Sequence, residues 1–492
     1  MREQGEIHVV TANFSQLAGR DVVAWVPALP PANLGDQSFQ QAYGVRANYV
    51  AGAMANGIGS TDIVIAMANA GLMAFFGAAG LSTQRITAAI DEVQAAVGDR
   101  AYGFNLIHSP AEPHQEWQTV ELYLARGVRN VSAAAYLRLT PQVVTYRCSG
   151  IHRGPDGRIV VPNHLFAKVS REEVAIQFLR PAPKKMLDAL VADGRLTADE
   201  AAHAAMVPMA DDLIAEADSG GHTDNQASPV LIPLMCALRD RIVEEQGYDR
   251  TVRIGAAGGI STPAAAAAAF AMGAAFVLTG TVNQACVESG TSPMVKAMLA
   301  DAKVADVGMA PASDMFEAGV EVQVLKRGTM FASRGHKLYT LWRQYDSLDD
   351  IPADVLAQVE KTILRRPAAD VWADCEAFFT ERDPRQVERA NADPKHKMAL
   401  VFRWYLGLSS RWAIGGDETR RQDVQVWCGP GIGAFNGWTA GTFLADPAQR
   451  KVVTVAANLL AGAAAITRAR MLQQQGVDAG TQAQTWTPRP LA

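Results

Sequence analysis

The sequence predicts an α/β protein built around a parallel β-sheet, and two observations lead to that prediction. Short apolar segments alternate with helical segments from about residue 49 to about residue 281, which is typical of a parallel sheet, open or closed. The chain is also 49 % hydrophobic but only 7 % aromatic, with 41 glycines, and this favours helices packed tightly on strands. At 492 residues, the chain is long enough for two or three domains.

The alternating region orders its elements as strand, helix, strand. Helices are predicted at 61–70, 83–97 and 114–126. The alternation is interrupted at about 181–210, where a charged helix–turn–helix with Thr197 as an N-cap leaves the sheet. The strand-like segments lie at 49–54, 72–77, 102–107, 128–134, 158–169, 213–217, 252–260 and 275–281.

The second half of the chain changes character twice. Residues 331–425 are rich in Arg, Lys, Asp, Trp and Pro and contain amphipathic helical segments, so we expect an inserted helical cap. Residues 426–492 return to glycine turns and an Ala-rich helix that is predicted to pack back on the first region. We therefore divide the chain into domains at 1–330, 331–425 and 426–492.

Composition argues against several classes of protein. The net charge of −5 and the pI near 6.0 give no basic footprint for nucleic acid. Five widely spaced cysteines without a CxxC pair argue against a disulfide framework or a structural zinc site. No signal peptide is visible, and the longest apolar stretch, 264–278, is too short and Ala-rich to span a membrane. We predict a cytoplasmic protein that binds neither nucleic acid nor membrane.

Two glycine-bearing turns follow the last two predicted strands. VRIGAAGGI carries Gly258 and Gly259 before an N-cap at Thr262, and AFVLTGT ends in Gly280 and Thr281. Backbone N–H groups at such turns attract anions, and two adjacent turns form the phosphate cradle common at the C-terminal face of a (β/α)8 barrel. Ordinary tight turns are the alternative.

The segment DSGGH at 218–222 is a second candidate site, at the end of another predicted strand. Its two glycines would let the backbone run along a flat ring, and His222 would project at the sheet edge, where an imidazole can donate a proton. A surface-loop histidine is the alternative. Metal binding is not expected, because no His or Cys lies at ligand spacing.

Weaker candidates lie at other strand ends. The small residues of the turn at 52–59 would let a ring lie against backbone, and Asn105 would hydrogen-bond a heterocycle or simply form a turn. Lys168 is either a solvated rim charge or a partner for an anionic ring edge.

Taken together, these motifs resemble those of a known superfamily. GAMANGIGSTDIVIAMANAGLMAFFGAAGL, YGFNL, AEADSGGHTD, GAAGGI and LTGT occur in the order found in nitronate monooxygenases and FMN-dependent enoyl reductases. PALPPANLGDQSF, FAKVSREEVA, VQVLKRGTMF, DPKHKMALVFRWYLGLSSRWA and WCGPGIGAFNGW resemble the PfaD-type, trans-acting enoyl reductases of polyketide and polyunsaturated-fatty-acid synthases. The resemblance covers nearly the whole chain. It implies a (β/α)8 TIM barrel that binds FMN at its C-terminal mouth and carries an inserted α-helical cap.

The resemblance also implies roles for individual residues. His222 and Lys168 match catalytic positions, and His222 is expected to supply the proton to Cα of the substrate. Where the superfamily has Glu and Ala before GGH, this chain has Asp218 and Ser219, which leaves open how the flavin edge near Asp218 is satisfied. The expected FMN-binding residues are Ala53, Met54, Ala55, Asn56, Asn105, Lys168, Asp218, Gly220, Gly221, Ala257, Gly258, Gly259, Gly280 and Thr281.

The implied reaction is the reduction of an enoyl thioester on an acyl carrier protein, in partnership with synthase modules. NADPH is the expected reductant through FMN, with NADH as the alternative. Because carrier proteins are expected to be acidic, we predict a basic approach surface, with a solvated charged face as the alternative. Whether the chain forms a homodimer stays open. The surface would comprise Lys326, Arg327, Arg334, His336, Lys337, Arg365, Arg366, Lys395, His396 and Lys397.

Three other functions are alternatives. A nitronate monooxygenase would use the same barrel and FMN with oxygen, but a small nitronate needs no helical cap. A non-redox barrel protein would be colourless and would not bind FMN. An enzyme like IMP dehydrogenase lacks support, because Cys286 lies beyond the LTGT segment rather than after the double glycine.

Overall fold

The computed structural model describes residues 2–3, 6–7, 14–109, 113–477, 480 and 484–491. Within these residues, eight parallel strands close into a barrel, which confirms the predicted (β/α)8 fold. We number the strands along the chain: Tyr49–Ala51 (β1), Met73–Phe76 (β2), Gly103–Ile107 (β3), Asn130–Ala134 (β4), His164–Val169 (β5), Asp212–Glu216 (β6), Arg253–Ala257 (β7) and Phe276–Thr279 (β8).

Helices connect successive strands and cover the outside of the barrel. Each has an apolar face that packs on the outward-facing residues of the strands. Side-chain caps fix where several of them begin: Ser82 accepts a hydrogen bond from the Arg85 N–H, and Thr262 accepts one from the Ala265 N–H. These helices are Thr61–Asn69, Thr83–Val97, Pro113–Ala125, Pro141–Cys148, Glu172–Leu179, Ser228–Gln246 and Pro263–Ala271, followed after β8 by Thr281–Gln284 and Pro293–Ala300.

A short helix, Gln37–Tyr43, closes the N-terminal end of the barrel. The ring of Phe39 stacks on Phe276 with 4.4 Å between centroids. Beside them, the buried carboxylate of Asp212 accepts a hydrogen bond from Arg253 Nε at 2.6 Å. Because side chains fill this end, a ligand site is expected at the opposite, C-terminal end, where barrel enzymes carry their sites.

The predicted helix–turn–helix leaves the barrel between β5 and β6. Its helices are Lys184–Ala192 and Ala198–Ala204. Thr197 caps the second helix through a capping box, in which its side chain and that of Glu200 each bind the other's backbone N–H. Two small hairpins lie elsewhere, formed by Arg2–Glu3 with Glu6–Ile7 and by His152–Arg153 with Ile159–Val160.

A three-stranded antiparallel sheet, which the sequence did not predict, lies beside the C-terminal end of the barrel. Gly221–His222 pairs with Glu321–Leu325, which in turn pairs with Val307–Pro311. The pairing places Gly221 opposite Gln323 and His222 opposite Val322. Residues far along the chain are thereby brought next to the predicted GGH motif.

The predicted helical cap is present, and it shares a hydrophobic core, which includes Phe402, Tyr405 and Leu406, with the antiparallel sheet. The buried carboxylate of Asp423 accepts a hydrogen bond from the Tyr405 hydroxyl at 3.0 Å. The division at residues 330 and 425 stays a prediction. The helices of this region are Phe331–Gln344, Ala353–Val359, Ala368–Arg382, Pro384–Ala392 and Pro394–Gly415, with a π-helical turn at Glu360–Leu364.

After the cap, the chain returns to the barrel through the helices Gly431–Thr439 and Val452–Gln474. The second of these packs against both Pro263–Ala271 and Thr61–Asn69, which is the place of the eighth helix of a (β/α)8 barrel. It is long and apolar enough to cross a membrane by composition, but 61 % of its most apolar window is buried. Its apolarity is therefore accounted for by packing against the barrel.

Candidate active site at the C-terminal mouth of the barrel

A charged pair lies inside the barrel at its C-terminal end. Phe166 and Ile214 point into the barrel interior, and side chains alternate along a strand, so Lys168 and Glu216 face the same side one layer higher. Lys168 Nζ lies 2.8 Å from Glu216 Oε1, with the two side chains 26 % and 18 % exposed. Lys168 is therefore a fixed cation rather than a mobile rim charge. Glu216 was not among the predicted site residues.

The two predicted glycine corners follow β7 and β8, which are neighbours in the barrel. Gly258 and Gly259 have φ values of +85° and +71°, in the left-handed region that favours glycine. A Cβ on Gly258 would lie 2.6 Å from the backbone of Ala217, whereas a Cβ on Gly259 or Gly280 would meet nothing within 4 Å. At the first glycine corner, Gly258 is therefore packed against backbone, whereas the Cβ position of Gly259 faces open space.

The backbone donors of the first corner are available to a ligand. Among the described residues, no hydrogen-bond acceptor is found for the N–H groups of Gly258, Gly259 and Ile260. Buried or half-buried N–H groups are rarely left without an acceptor, and convergent N–H groups at a strand–helix turn suit an anion. Because parallel strands end at the same rim, the Gly280–Thr281 corner lies on the same side.

A third wall, formed by residues 427–431, was not predicted as part of the site. Gly429 N–H donates to Thr281 Oγ1 at 3.2 Å, and a Cβ on Gly431 would lie 3.1 Å from Ser261 Cβ. Gly220 packs directly on the backbone of Cys428, with 2.6 Å from its missing Cβ to the Cys428 Cα. Burial raises the pKa of the Cys428 thiol to about 12, so it stays protonated and is not a nucleophile.

We expect Gly220→Ala to displace this third wall. The added methyl meets backbone rather than a flexible side chain, and such overpacking costs about 1–3 kcal/mol. Thermal melts and flavin titration should show lower stability and weaker flavin binding. The matched control is Gly437→Ala, at a helical glycine with nothing within 4 Å of its Cβ position. Equal behaviour of the two variants would contradict the close contact.

His222 and Asp218 each have a partner from the small antiparallel sheet region. His222 Nε2 lies 3.2 Å from Asp314 Oδ2, and this hydrogen bond raises the pKa of His222 above its usual range. Gln323 Nε2 donates to Asp218 Oδ1 at 2.6 Å, while burial raises the pKa of Asp218. One carboxylate oxygen of Asp218 therefore already accepts a hydrogen bond from the protein. The sequence left open how the flavin edge near Asp218 is hydrogen-bonded, and any such bond would have to be compatible with this contact to Gln323.

The turn after β1 packs against the turn after β2. Met54 O occupies the place of a Cβ on Gly77, and the Asn56 N–H donates to Ala79 O at 2.7 Å, with Asn56 in the left-handed region at φ +56°. Asn105 Oδ1 accepts the Ala78 N–H at 2.6 Å. The side-chain oxygen of Asn105 therefore already accepts a backbone hydrogen bond. The side-chain NH2 group is the part of Asn105 that is left to donate to a ligand.

The described residues fit a phosphate-bearing flavin at this mouth. The N–H groups of Gly258, Gly259 and Ile260 are placed for the phosphate. Small residues at 52, 53 and 55 and at Gly220 and Gly221 leave backbone for a planar ring to lie on. Ala53, Ala55 and Ala257 lie at the same strand ends, as predicted from their positions, although their contact with a cofactor stays a prediction.

The prediction of one exposed basic surface is wrong for His396, which is only 3 % exposed, and Arg334 is half-buried. Arg334 and Arg365 both form ion pairs with the buried carboxylate of Asp423. The physical reason is that a buried carboxylate needs cationic partners, and the helical cap supplies them. Other members are also paired: Arg366 with Asp374, Lys395 with Asp346, Arg327 with Asp306 and His336 with Glu321.

Two family models match separate parts of this chain, and several curated proteins are similar to most of it. Residues 45–334 match the nitronate monooxygenase family model, and residues 345–424 match the inserted helical domain of [acyl-carrier-protein] S-malonyltransferase. The chain is 48 % identical over 448 residues to a polyunsaturated fatty acid synthase subunit of Thraustochytrium, covering 90 % of this chain and 30 % of that protein. It is 42 % identical over 453 residues to polyketide biosynthesis protein PksE of Bacillus subtilis, covering 92 % and 58 %. The chain thus spans less than two thirds of these relatives.

A solved structure matches over its full length. The enoyl reductase domain of MlnA, from the macrolactin biosynthesis cluster of Bacillus amyloliquefaciens, is 36 % identical and superposes with a TM-score of 0.86. The match covers 90 % of this chain and 100 % of that domain. With the barrel, the glycine corners, the GGH corner and the helical cap all in place, the chain belongs to the nitronate monooxygenase family and, within it, to the PfaD-type enoyl reductases of polyketide and polyunsaturated-fatty-acid synthases.

Proposed function

We propose that this protein reduces the α,β double bond of enoyl thioesters carried by an acyl carrier protein, using NADPH and an FMN bound at the barrel mouth. The observation that carries the proposal is the full-length match to the MlnA enoyl reductase domain. The open glycine corner after β7 supports a phosphate-bearing cofactor, because its N–H donors have no acceptor among the described residues. The helical cap resembles a domain of a carrier-protein acyltransferase, which supports a carrier-bound substrate.

The bound FMN would supply hydride chemistry, while the protein places and polarises the substrate. Lys168, held by Glu216, and the backbone at Gly220 and Gly221 are the donors that we assign to the thioester oxygen, where charge develops. His222 is assigned as the proton donor to Cα. Its hydrogen bond to Asp314 favours the protonated imidazole that this role needs.

We expect Asp314→Asn to shift the pH dependence of turnover. Asp314 raises the pKa of His222, so His222 keeps its proton to higher pH in the wild type. Loss of the carboxylate lowers that pKa, and the falling limb of the kcat profile should then move to lower pH. The same profile for Asp349→Asn, an exposed carboxylate of the helical cap, provides the control. An unshifted falling limb in Asp314→Asn would remove His222 from the role.

The direct test is anaerobic turnover with a crotonyl thioester on an acyl carrier protein. The proposal predicts NADPH oxidation that matches the amount of saturated thioester formed. Oxygen uptake with an alkyl nitronate, without thioester reduction, would instead support a nitronate monooxygenase. No turnover in either assay, together with no flavin binding, would support a non-redox barrel protein.

The assembly context also belongs to this proposal. Synthase modules are the partners that its relatives' names suggest, and a cytoplasmic location follows if the chain works beside them. A homodimer stays a prediction. Size-exclusion chromatography with light scattering would establish the oligomeric state.

A further inference from the structure

A loop between two strands of the antiparallel sheet lies beside the barrel mouth. Residues 312–320, which we call the hairpin loop, join the two five-residue strands of that sheet. Within it, residues 314–319 form one continuous turn, in which the Gly319 N–H donates to Phe316 O at 3.0 Å. Because the turn is short and internally hydrogen-bonded, a displacement of one of its residues is transmitted to the others.

One side of the hairpin loop faces the GGH corner. Asp314 Oδ2 lies 3.2 Å from His222 Nε2, and the Asp314 side chain is 61 % exposed. Packing therefore contributes little to the orientation of the Asp314 side chain. Whether its carboxylate stays within hydrogen-bonding distance of His222 depends on where the backbone of the hairpin loop is held.

The other side of the hairpin loop is held by the helical cap. Phe316 is fully buried and meets the ring of Tyr339 edge-on, with 5.4 Å between centroids. Arg403 Nη1 donates to both carboxylate oxygens of Glu317, at 3.2 and 3.4 Å, and His396 Nδ1 lies 3.5 Å from Glu317 Oε1. Apolar contact anchors the loop without fixing its direction, whereas the ion pair of Glu317 is directional.

Glu317 is ionised throughout the pH range in which the enzyme would be assayed. Burial raises the pKa of Glu317, but its contact with His396 and the charge of Arg403 together lower it to about 2. The Glu317 side chain is 29 % exposed, so solvent screens this pair less than a fully exposed ion pair. The tie between the hairpin loop and the cap is therefore present while His222 titrates.

We propose that Glu317 is a positioning residue that holds the hairpin loop so that Asp314 stays against His222. It acts through its ion pair with the last helix of the cap and does not touch the substrate. The inference rests on the proposed function, in which His222 donates the proton to Cα. It implies that the cap, and not only the barrel, determines how firmly His222 holds its proton.

Other charged groups also act on His222. The hydrogen bond to Asp314 raises the pKa of His222, burial lowers it, and the charges of Lys168 and Glu216 act in opposite directions. Substitutions in the cap leave the barrel groups in place. The charged groups around His222 are Asp314 of the hairpin loop, Lys168 of β5, Glu216 of β6, and Asp218 and Asp224 of its own segment.

Arg403→Gln separates positioning from a simple effect of charge. If charge alone mattered, loss of a cation would raise the pKa of His222, because a nearby positive charge disfavours the imidazolium. If Glu317 positions the loop, loss of its partner releases Asp314, and the pKa of His222 falls. The measurement is an NMR titration of the flavin-loaded protein labelled at histidine, in which His222→Ala identifies the His222 resonance.

Glu317→Gln should move the His222 titration to lower pH as well, although it removes the opposite charge. In an Asp314→Asn background, the same substitution should produce no further shift, because Glu317 acts through Asp314. An effect of charge through space would persist in that background. Either variant is decisive alone, so the test remains valid if melting curves show that one of them does not fold.

The matched controls are Glu388→Gln and Arg389→Gln, at exposed positions of another cap helix, Pro384–Ala392. Neither should move the His222 titration. A shift to higher pH in Arg403→Gln, or a titration that stays at its wild-type position, would overturn the inference.

Turnover tests the proposed function separately. The protonated imidazole is the active form, so a lower pKa of His222 should also move the falling limb of the kcat profile to lower pH. If the titration of His222 moves in Arg403→Gln and the kcat limb does not, Glu317 positions Asp314 but His222 is not the proton donor. If the titration does not move, the positioning role is rejected, whatever the turnover.

Discussion

Gly259→Asp should weaken FMN binding by about a hundredfold or more, equivalent to roughly 3 kcal/mol. Gly259 lies in the left-handed region at φ +71°, and its Cβ position faces open space beside the N–H groups of the first glycine corner. An aspartate there would place a carboxylate where we assign the phosphate, and the two anions repel. Flavin fluorescence titration of the apo-protein measures the change.

The matched control for this variant is Gly259→Asn. Asparagine has nearly the same size as aspartate and tolerates positive φ better than other residues, but it carries no charge. FMN should therefore bind Gly259→Asn much more tightly than Gly259→Asp. If both variants bind FMN like the wild type, the phosphate does not lie at this corner.

His222→Ala should reduce turnover by about 10²–10⁴-fold while flavin binding is retained. His222 lies on the rim of the mouth, paired with Asp314 rather than with the glycine corners, so its loss leaves the phosphate donors in place. Stopped-flow measurements separate the two half-reactions. NADPH-dependent bleaching should keep its rate, and reoxidation by the crotonyl thioester should become slow.

The control for this prediction is His152→Ala, an exposed histidine in a small hairpin outside the barrel. It should leave both half-reactions unchanged. A His222→Ala variant that reoxidises at the wild-type rate would show that the Cα proton comes from another group.

The sequence predicted the barrel well because its signals are local. The helix at 83–97 was predicted at its observed bounds, since Ser82 caps its start and a glycine follows its end. The strand predicted at 49–54 ends at Ala51, because the glycine at 52 begins the turn that packs on β8. Strand and helix periodicity, helix caps and glycine turns are each recognised from residues that lie close together in the sequence.

The partners of the site residues could not be predicted in the same way. Glu216 pairs with Lys168 across two strands, and Asp314 reaches His222 from 92 positions further along the chain. The wall at 427–431 returns to the mouth only after the whole helical cap. No periodicity or spacing encodes such contacts, although the glycine-rich WCGPGIG segment was a signal that backbone approaches something closely there.

The basic surface was mispredicted for a related reason. Basic residues that cluster in sequence suggested an exposed patch. In the structure, Arg334 and Arg365 instead form ion pairs with the buried carboxylate of Asp423. Clustering in sequence was therefore a poor guide to which cations stay free of acidic partners.

The central claim is that the two glycine corners after β7 and β8 hold a flavin by its phosphate. The most direct measurement compares the binding of FMN and riboflavin to the apo-protein by absorbance and fluorescence titration. The account predicts a yellow complex with one FMN per chain and binding of riboflavin at least about a hundredfold weaker. A protein that binds neither flavin, or that binds the two equally, would contradict it.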